Sequence, residues 1–449
     1  MGSSDDAPFL KNPISEETLN LLFDVSNSNS LQNSLEILIQ TSKSNSGRSN
    51  LASKAILPAI LTILQSQTSL LDHHILSLCF KLLRNLCAGE IINQNLFLKF
   101  HGVVIVVSTI LRSEVVSHVM LVRWGLQVLA NVSLAGKQHQ KAIWEELFPL
   151  GFFLLENLEP KSFGDDWIKL LLSRICLEES QLPVLFSKLQ FRDILDCEDT
   201  KSRDDQFSSE QVFLLQIVSE ILNERIGDVT ISKDVALFVY GIFKKSTGVL
   251  EQAVKSKSGL PSGITAVDVL GYSLNMLRDI CAHDSRQGNE EDANDVVNVL
   301  LSYGLIELLL TLLGDLEPPA IIRKGIKQSD NQDGGSCSSK PCPYKGFRRD
   351  IVALIGNCVY RRKHVQDEIR SRSGILLLLQ QCVTDEDDPY LREWGIWSVR
   401  NILEGNEENQ KVVAELQLQG SADVPEISAL GLRVDIDPKT RRAKLVNVP

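Results

Sequence analysis

Residues 396–410 read Ile-Trp-Ser-Val-Arg-Asn-Ile-Leu-Glu-Gly-Asn-Glu-Glu-Asn-Gln. Counted from Asn401, apolar residues stand five and two positions before it and one position after it, which is the spacing of one stripe on an α-helix. Gly405 then ends this helix, and the next helix holds a Gln nine positions and an apolar residue twelve positions after Asn401. The stretch therefore predicts two consecutive helices joined by a short turn.

The same pattern of apolar residues, Asn and Gln recurs around Asn85, Asn131 and Asn357. A degraded copy has Asp279 at the Asn position and lacks the Gln. Asn85 and Asn131 are 46 residues apart, and Asn357 and Asn401 are 44 apart. A helical pattern that recurs at intervals in the forties is typical of armadillo or HEAT repeats. The chain is therefore predicted to be a repeat protein.

A second recurring feature is a Gly followed by an apolar run. Gly102, Gly151 and Gly374 lie about 17 to 20 residues after a pattern Asn, and Gly304 leads a similar run after Asp279. This order predicts a short first helix, a sharp turn at the Gly, a buried second helix and a third helix that ends in Leu-x-Asn. Gly would supply the backbone freedom that the turn needs. We therefore expect an all-α fold, an armadillo-like α-α superhelix (solenoid).

Composition restricts the location and the partners of the protein. The 449 residues carry a net charge of −11, which argues against non-specific binding to nucleic acid or to anionic membranes. The nine Cys are scattered, and Cys79, Cys87, Cys281 and Cys358 fall within apolar helix patterns. We expect reduced core thiols rather than disulfides, in a cytosolic protein, with the nucleus as the other open location.

The sequence shows no targeting or membrane segment. Its first six residues, Met-Gly-Ser-Ser-Asp-Asp, are polar and acidic, unlike a signal peptide. No apolar run approaches the ~20 residues that span a bilayer. We therefore expect a soluble protein with no membrane partner.

The predicted organisation has four parts. Residues 1–13 form a flexible N-terminus, and 14–322 form an N-terminal armadillo-like array that is diverged in its middle. Residues 323–346 are polar and rich in Gly, Ser and Pro, which predicts a flexible insertion that does not pack. Residues 347–449 form a C-terminal domain with a tail, in which the alternating pattern of 432–437 predicts a short β-hairpin.

Within the N-terminal array, two polar stretches are predicted to be loops, residues 42–50 and 196–207. Between residues 160 and 270 helical periodicity continues, although none of it matches the Asn pattern well. A solenoid cannot interrupt its stacking without exposing apolar faces, so this region is predicted to consist of diverged repeats.

Several segments resemble the ataxin-10 family. The closest likeness is to that family's C-terminal domain, and it lies in Tyr344–Phe347, Ile355–Tyr360, Asn401–Glu404 and Asn409–Gln410. Weaker likeness extends to the N-terminal array, in residues 79–85 and 125–131. The resemblance implies an armadillo superhelix, a cytosolic location and a non-enzymatic role linked to regulation of cell division (cytokinesis) and to cell survival. It implies no catalytic residues.

The pattern Asn are candidates for protein binding. In armadillo proteins that bind extended peptides, the Asn of the third helix lines a groove and contacts the peptide backbone, and a Trp one turn earlier shapes its pockets. Trp397 precedes Asn401 by four residues, which places both on one helix face. The candidate groove residues are Asn85, Asn131, Asn357, Trp397, Arg400 and Asn401. In the alternative interpretation these Asn bridge neighbouring helices. Trp124 and Trp394 recur at one repeat position and are predicted to be core residues.

The remaining motifs favour no chemistry. Cys337 and Cys342 lack a second pair of ligands at usable spacing, so no metal site is expected. The basic stretch 361–364, with Arg348 and Arg349, is predicted to be a solvated loop or a docking site for an acidic segment. No catalytic constellation is recognisable. We therefore expect no cofactor and no enzyme activity.

The function predicted from the sequence is a protein-interaction scaffold. Its expected partners are other proteins, with self-association open and nucleic acid excluded. Two alternatives remain: a carrier or adaptor that binds extended peptides in an importin-like groove, and, with less support, an enzyme with an unrecognised site.

Overall fold

The computed structural model describes eleven ranges of the chain: residues 28–67, 73–112, 118–148, 166–190, 206–251, 258–287, 295–323, 339–385, 388–416, 431–436 and 443–447. Within these ranges the fold is helical apart from one short hairpin, as the sequence predicts. The helices are α1 (Ser28–Thr41), α2 (Asn45–Ser53), α3 (Ile56–Gln67), α4 (His73–Cys87), α5 (Ile91–Lys99), α6 (Gly102–Ile110), α7 (Val119–Ser133), α8 (Lys137–Leu147), α9 (Asp166–Leu172), α10 (Leu182–Gln190), α11 (Ser209–Arg225), α12 (Lys233–Ser246), α13 (Thr265–Gln287), α14 (Val296–Ser302), α15 (Leu305–Asp315), α16 (Phe347–Val359), α17 (Lys363–Ser371), α18 (Gly374–Leu379), α19 (Leu391–Leu403) and α20 (Glu407–Ala414).

Shorter elements complete the list. A π-helical stretch, Ser173–Glu178, follows α9, and 3-10 turns span Ile226–Asp228 and Thr247–Glu251. Strands β1 (Leu432–Ile436) and β2 (Ala443–Asn447) pair antiparallel and confirm the predicted hairpin.

The chain divides into two compact units. The first comprises Met1–Lys201 with Ser208–Ile221, and the second comprises Ser202–Phe207 with Leu222–Pro449. This division differs from the predicted one, because the stretch 323–346 falls inside the second unit instead of separating two arrays. The physical reason is direct packing across that stretch, since α13 packs against α16.

In each unit, consecutive long helices pack side by side and shorter helices cover one flank. In the first unit α1, α4, α7 and α9 pack in this order, and in the second α12, α13, α16 and α19 do. Their shared faces are apolar and buried, for example at Leu83, Leu129 and Ile355. Burial of such a stripe on every helix is what stabilises a repeat fold.

The glycine corners form, but for another reason than the one predicted. α6 and α18 begin at Gly102 and Gly374, yet the left-handed backbone falls on the residues before them, His101 (φ 55°) and Ser373 (φ 58°). A Cβ on Gly102 would lie 2.6 Å from the ring of Phe97. These two glycines are therefore needed for close packing. At Gly304, with φ of 88°, the backbone freedom itself is used. Gly151 lies outside the described residues.

Two predicted irregular segments pack more than expected. Residues 42–50 are not all loop, since α2 begins at Asn45, where the Ser44 hydroxyl accepts the N–H of Gly47 at 3.0 Å. The end of the predicted insertion is also ordered: Tyr344 is only 1% exposed, and Lys345 N–H donates to the Ser258 carbonyl at 2.9 Å. Residues 1–13 and 324–338 lie outside the described residues.

The middle of the chain is helical, as its periodicity predicts, in α9 to α12. Most of residues 196–207 lie outside the described ranges. In the part of the chain that the structure describes, no single helix is long and apolar enough to cross a membrane. Two bent pairs, α5 with α6 and α14 with α15, meet the length and composition test only when each pair is taken together.

Candidate functional site

The pattern Asn residues join consecutive long helices. The Asn131 side-chain amide donates to the carbonyl of Arg84 at 2.9 Å, and the Asn401 amide donates to the carbonyl of Gly356 at 3.0 Å. In both cases the acceptor stands one residue before the pattern Asn of the preceding long helix. Each bond satisfies a side-chain donor and ties two helices together in a fixed register.

The degraded repeat takes part in the same series of hydrogen bonds from Asn amides to carbonyls of the preceding helix, which we call the Asn ladder. Asn357 donates its amide to the carbonyl of Arg278 at 3.0 Å, which is the residue before Asp279. α13 therefore still accepts this hydrogen bond although it carries Asp279 at the Asn position, because the acceptor is a backbone carbonyl. At the start of the array Asn85 donates instead to the hydroxyl of Ser42 at 3.0 Å.

The pattern Gln residues form a second ladder. Gln94 donates its amide to the carbonyls of Cys87 and Asn131, both at 2.9 Å. Gln366 likewise donates to the carbonyl of Asn401 at 2.8 Å. Carbonyls near the end of a helix have no partner within that helix. Gln94 therefore caps the ends of α4 and α7, and Gln366 caps the end of α19.

The six candidate groove residues therefore separate into two groups. The four Asn direct their amides to neighbouring elements of the chain, and Asn401 is only 2% exposed. The arrangement matches the bridging alternative. Asn85 and Asn131 belong to the first unit, whereas Asn357 and Asn401 lie on adjacent helices of the second. Trp397 and Arg400 form the other group, because their side chains are exposed.

Trp397 and Arg400 belong to an open face of α19. Trp397 is 44% exposed and Ile396 50% exposed, and the guanidinium carbon of Arg400 lies 5.1 Å from the centroid of the Trp397 ring. Ile396 belongs to the apolar stripe that the sequence defines, yet it is exposed and not part of the core. We call Ile396, Trp397 and Arg400 the α19 face.

The residues of α16 that correspond to the α19 face, 44 positions earlier, are Val352, Ala353 and Gly356. All three are buried, with Val352 0% and Ala353 1% exposed, because α19 covers them. Ser398 donates its hydroxyl to the carbonyl of Val352 at 2.8 Å, beside the bond from Asn401 to Gly356. The sequence contained a signal for this difference, since small residues are replaced by large ones at two of the three positions.

The two Trp predicted to be core residues are only half-buried. Trp124 lies under the Lys81 ammonium, which is 4.2 Å from its ring centroid, so its accessible side makes a cation–π contact. Trp394 is also of intermediate exposure.

The basic stretch 361–364 is not a solvated loop throughout. Arg362 is buried and pairs with Asp295 at 2.5 Å, and Asp295 in turn caps α14 by accepting the N–H of Val297 at 2.8 Å. Arg348 is also buried and donates to Gln381 at 3.3 Å. These two arginines are engaged within the fold, so the prediction of a solvated or docking cluster is wrong for them, whereas Arg361, Lys363 and His364 are exposed.

A buried polar cluster holds α13 to α16. The carboxylate of Asp350 accepts from Arg278 at 2.9 Å, from Arg349 at 2.9 Å and from the hydroxyl of Tyr344 at 3.2 Å. Burial raises the pKa of Tyr344 well above its usual value, and the charge of Asp350 raises it further. Because the carboxylate is shared by three donors, the cluster is a structural anchor.

Asp388 connects the loop before α19 to the start of α16. Its Oδ2 accepts the N–H of Arg349, in the first turn of α16, at 3.1 Å, while its Oδ1 has no hydrogen-bond partner among the described residues. Burial raises the pKa of Asp388 to about 6. Asp388 lines a cleft of about 70 Å³ together with Cys342, whose thiol pKa burial also raises. A thiol of this kind is not an activated nucleophile.

Within the described ranges, no group of three or more His, Cys, Asp or Glu side chains is arranged to hold a metal ion. Cys79, Cys87, Cys281 and Cys358 are buried and form no disulfide, as their positions predict. Burial raises the pKa of Cys79 to about 12. Cys337 lies outside the described residues.

Comparison with known proteins identifies one domain and relatives along most of the chain. Residues 347–446 match the family model of the spinocerebellar ataxia type 10 protein domain. Ataxin-10 of Bos taurus is 25% identical over 393 residues, which cover 80% of this chain and 79% of that protein. Ataxin-10 of Homo sapiens is 24% identical with the same coverage. The ataxin-10 homolog of Dictyostelium discoideum is 37% identical over 105 residues, or 23% of this chain and 17% of its own.

Among solved structures, two engineered proteins align with most of the chain. One is 10% identical with a TM-score of 0.27 and covers 88% of this chain and 98% of its own. The other is 14% identical with a TM-score of 0.34 and covers 87% of this chain and all of its own. TM-scores this low do not establish a shared fold. The domain match at residues 347–446 and the ataxin-10 proteins that align with 80% of the chain together support membership of the ataxin-10 family.

Proposed function

We propose that this protein is a non-enzymatic protein-interaction scaffold and that the α19 face is a docking surface on it. The observation that carries the proposal is the contrast between α16 and α19. Equivalent positions are buried on α16 and exposed on α19, where they carry an Ile, a Trp and an Arg.

The residue types of the α19 face support binding. Trp and Arg are enriched among the few residues that dominate the affinity of protein interfaces. Trp397 and Ile396 expose apolar surface next to one another, and clustered exposed apolar surface marks interaction sites. The Arg400 guanidinium stacks on the Trp397 ring, so both side chains are already partly ordered in the free protein. A partner would therefore lose less side-chain entropy on binding them.

The alternative function, a carrier with an importin-like groove, has less support. That mode needs the amides of the pattern Asn to be available to a bound peptide backbone. Here the amides of Asn131, Asn357 and Asn401 donate to the carbonyls of neighbouring helices. A peptide would have to compete with these internal bonds.

For the cellular role, we propose a cytosolic protein that acts in cell division and cell survival, as the family resemblance implies. Depletion from dividing cells should raise the fraction of cells with two nuclei, and re-expression should restore it. If cell division is unaffected by depletion, this part of the proposal is wrong.

The docking function is tested by quantitative affinity capture with the full-length protein. We expect the double substitution Ile396→Ala with Trp397→Ala to remove a subset of captured proteins while leaving the melting temperature nearly unchanged. Tyr303→Ala is the matched control, because Tyr303 is 61% exposed and stands at the C-terminal end of α14, not on α19. Equal capture by wild type and the double variant would contradict the proposal.

A further inference from the structure

The α19 face differs from its counterpart on α16 in size as well as exposure. Trp397 stands where α16 has Ala353, and Arg400 stands where α16 has Gly356. On α16 a Cβ at Gly356 would lie 2.5 Å from the hydroxyl of Ser398, so α19 approaches closely only because that residue is Gly. A further repeat of the same kind therefore cannot pack as closely on the α19 face.

Charge defines the two ends of this surface. Arg400 has no carboxylate within ion-pair distance among the described residues, and its guanidinium rests on Trp397. Glu393 is also exposed and stands seven residues before Arg400, or two helical turns of about 10 Å, on the same side of α19. From Glu393 to Arg400 the surface thus runs from a negative charge, through Ile396 and Trp397, to a positive charge, and the exposed Glu404 lies beyond it at the end of α19.

We propose that the α19 face binds an amphipathic helix of another protein, which presents an acidic side chain to Arg400, apolar side chains to Ile396 and Trp397, and a basic side chain to Glu393. The inference rests on the proposed docking function and names the chemistry of the partner. Helical geometry follows from continuity with the α16–α19 interface, where one helix covers another. Two charges seven residues apart on the partner helix would match the spacing of Glu393 and Arg400.

A partner helix fits this surface better than the chain's own segment between α20 and β1. The sequence of residues 417–430 contains Gly420 and Pro425, the two residue types with the lowest helix propensity. Apolar and acidic residues do occur there, in Asp423-Val424-Pro425-Glu426-Ile427. Occupancy by this segment, or by a second copy of the protein, is therefore an explicit outcome of the test.

The probes are two labelled synthetic peptides, each an amphipathic helix of about four turns. The first carries Glu and Lys seven residues apart with Leu and Ala between them, and the second carries Lys at both places. Fluorescence anisotropy with the full-length protein should show preference for the Glu-Lys peptide. We expect Arg400→Glu to weaken binding of this peptide about tenfold and to reverse the preference, and Trp397→Ala to weaken both peptides.

Arg392→Glu is the matched control, because Arg392 is exposed on the same helix but turned by about 80° from Arg400. It should leave the preference between the peptides unchanged. Reversal by both substitutions would reveal a non-specific charge effect and overturn the proposal.

Three further outcomes would also overturn it. They are no preference in the wild type, tighter peptide binding after Asp423→Asn with Glu426→Gln, and a dimer in light scattering that the Trp397→Ala variant dissociates. If the peptides fail but Trp397-dependent capture of proteins persists, the partner chemistry is wrong and the docking function stands.

Discussion

Helices α16 and α19 carry one sequence pattern 44 residues apart and differ in what lies on them. α16 presents Val352, Ala353 and Gly356 to a covering helix, while α19 presents Ile396, Trp397 and Arg400 outward. The repeat pattern thus specifies how each long helix packs on the preceding one. The size of the residues on its opposite side indicates whether a further helix can pack closely there.

The largest effect is expected for Gly356→Leu. Its Cβ would meet the hydroxyl of Ser398 at 2.5 Å, so the helices must separate, and the free energy of unfolding should fall by about 3 kcal/mol. The matched change at the equivalent position, Arg400→Leu, should alter it by less than about 0.5 kcal/mol. Urea unfolding followed by circular dichroism measures both. Equal losses would show that the two faces do not differ as described.

A smaller loss is expected when one ladder bond is removed. Asn401→Ala deletes the buried donor that satisfies the Gly356 carbonyl, which should cost about 2 kcal/mol. Trp397→Ala, four residues earlier, should cost less than about 1 kcal/mol because the ring is 44% exposed. A loss of about 3–5 kcal/mol for Trp397→Ala, as for a buried aromatic ring, would place Trp397 in the core instead.

A third effect concerns the dependence of stability on pH. Burial raises the folded pKa of Asp388 to about 6, above its unfolded value, so the protonated acid favours the folded state. This contribution is fully present below about pH 4 and is lost as pH rises through 6, with a total of up to about 3 kcal/mol for a shift of about two pKa units. Arg349 lowers this pKa, whereas Asp350 and Asp385 raise it.

Asp388→Asn should remove this pH dependence and leave the variant more stable than the wild type at pH 7, since an amide oxygen can still accept the Arg349 N–H. Unfolding measured at pH 4.5, 5.5 and 7 tests the prediction. Parallel pH profiles for the two proteins would refute it.

Much of the fold could be predicted from the sequence because the determining contacts are local and periodic. The pattern around Asn85, Asn131, Asn357 and Asn401 marks helix ends correctly, and the tail hairpin follows from alternation. The degraded repeat at Asp279 was also identified from the sequence. It packs like the other repeats without the Asn, because it contributes only the backbone carbonyl of Arg278 to the hydrogen bond with Asn357.

Other features depend on neighbours that spacing does not reveal. A cluster of basic residues looks solvated in sequence, yet Arg362 finds Asp295, which lies 67 residues earlier. Gly102 and Gly374 were predicted to supply backbone freedom at turns. In the structure they are required because a neighbouring side chain occupies the space that a Cβ would need. Ile396 would be buried only if another helix covered α19, and the spacing of apolar residues within α19 does not show whether such a helix exists.

The central claim, that the α19 face is open whereas its counterpart on α16 is covered, is tested most directly by thiol labelling at equivalent positions. Trp397→Cys and Ala353→Cys are labelled with a maleimide in the full-length folded protein, and the rates are read by peptide mass spectrometry. The account predicts fast modification at 397 and modification at 353 slower by at least about a hundredfold, because that site must first open locally. Slow labelling at both positions would contradict it.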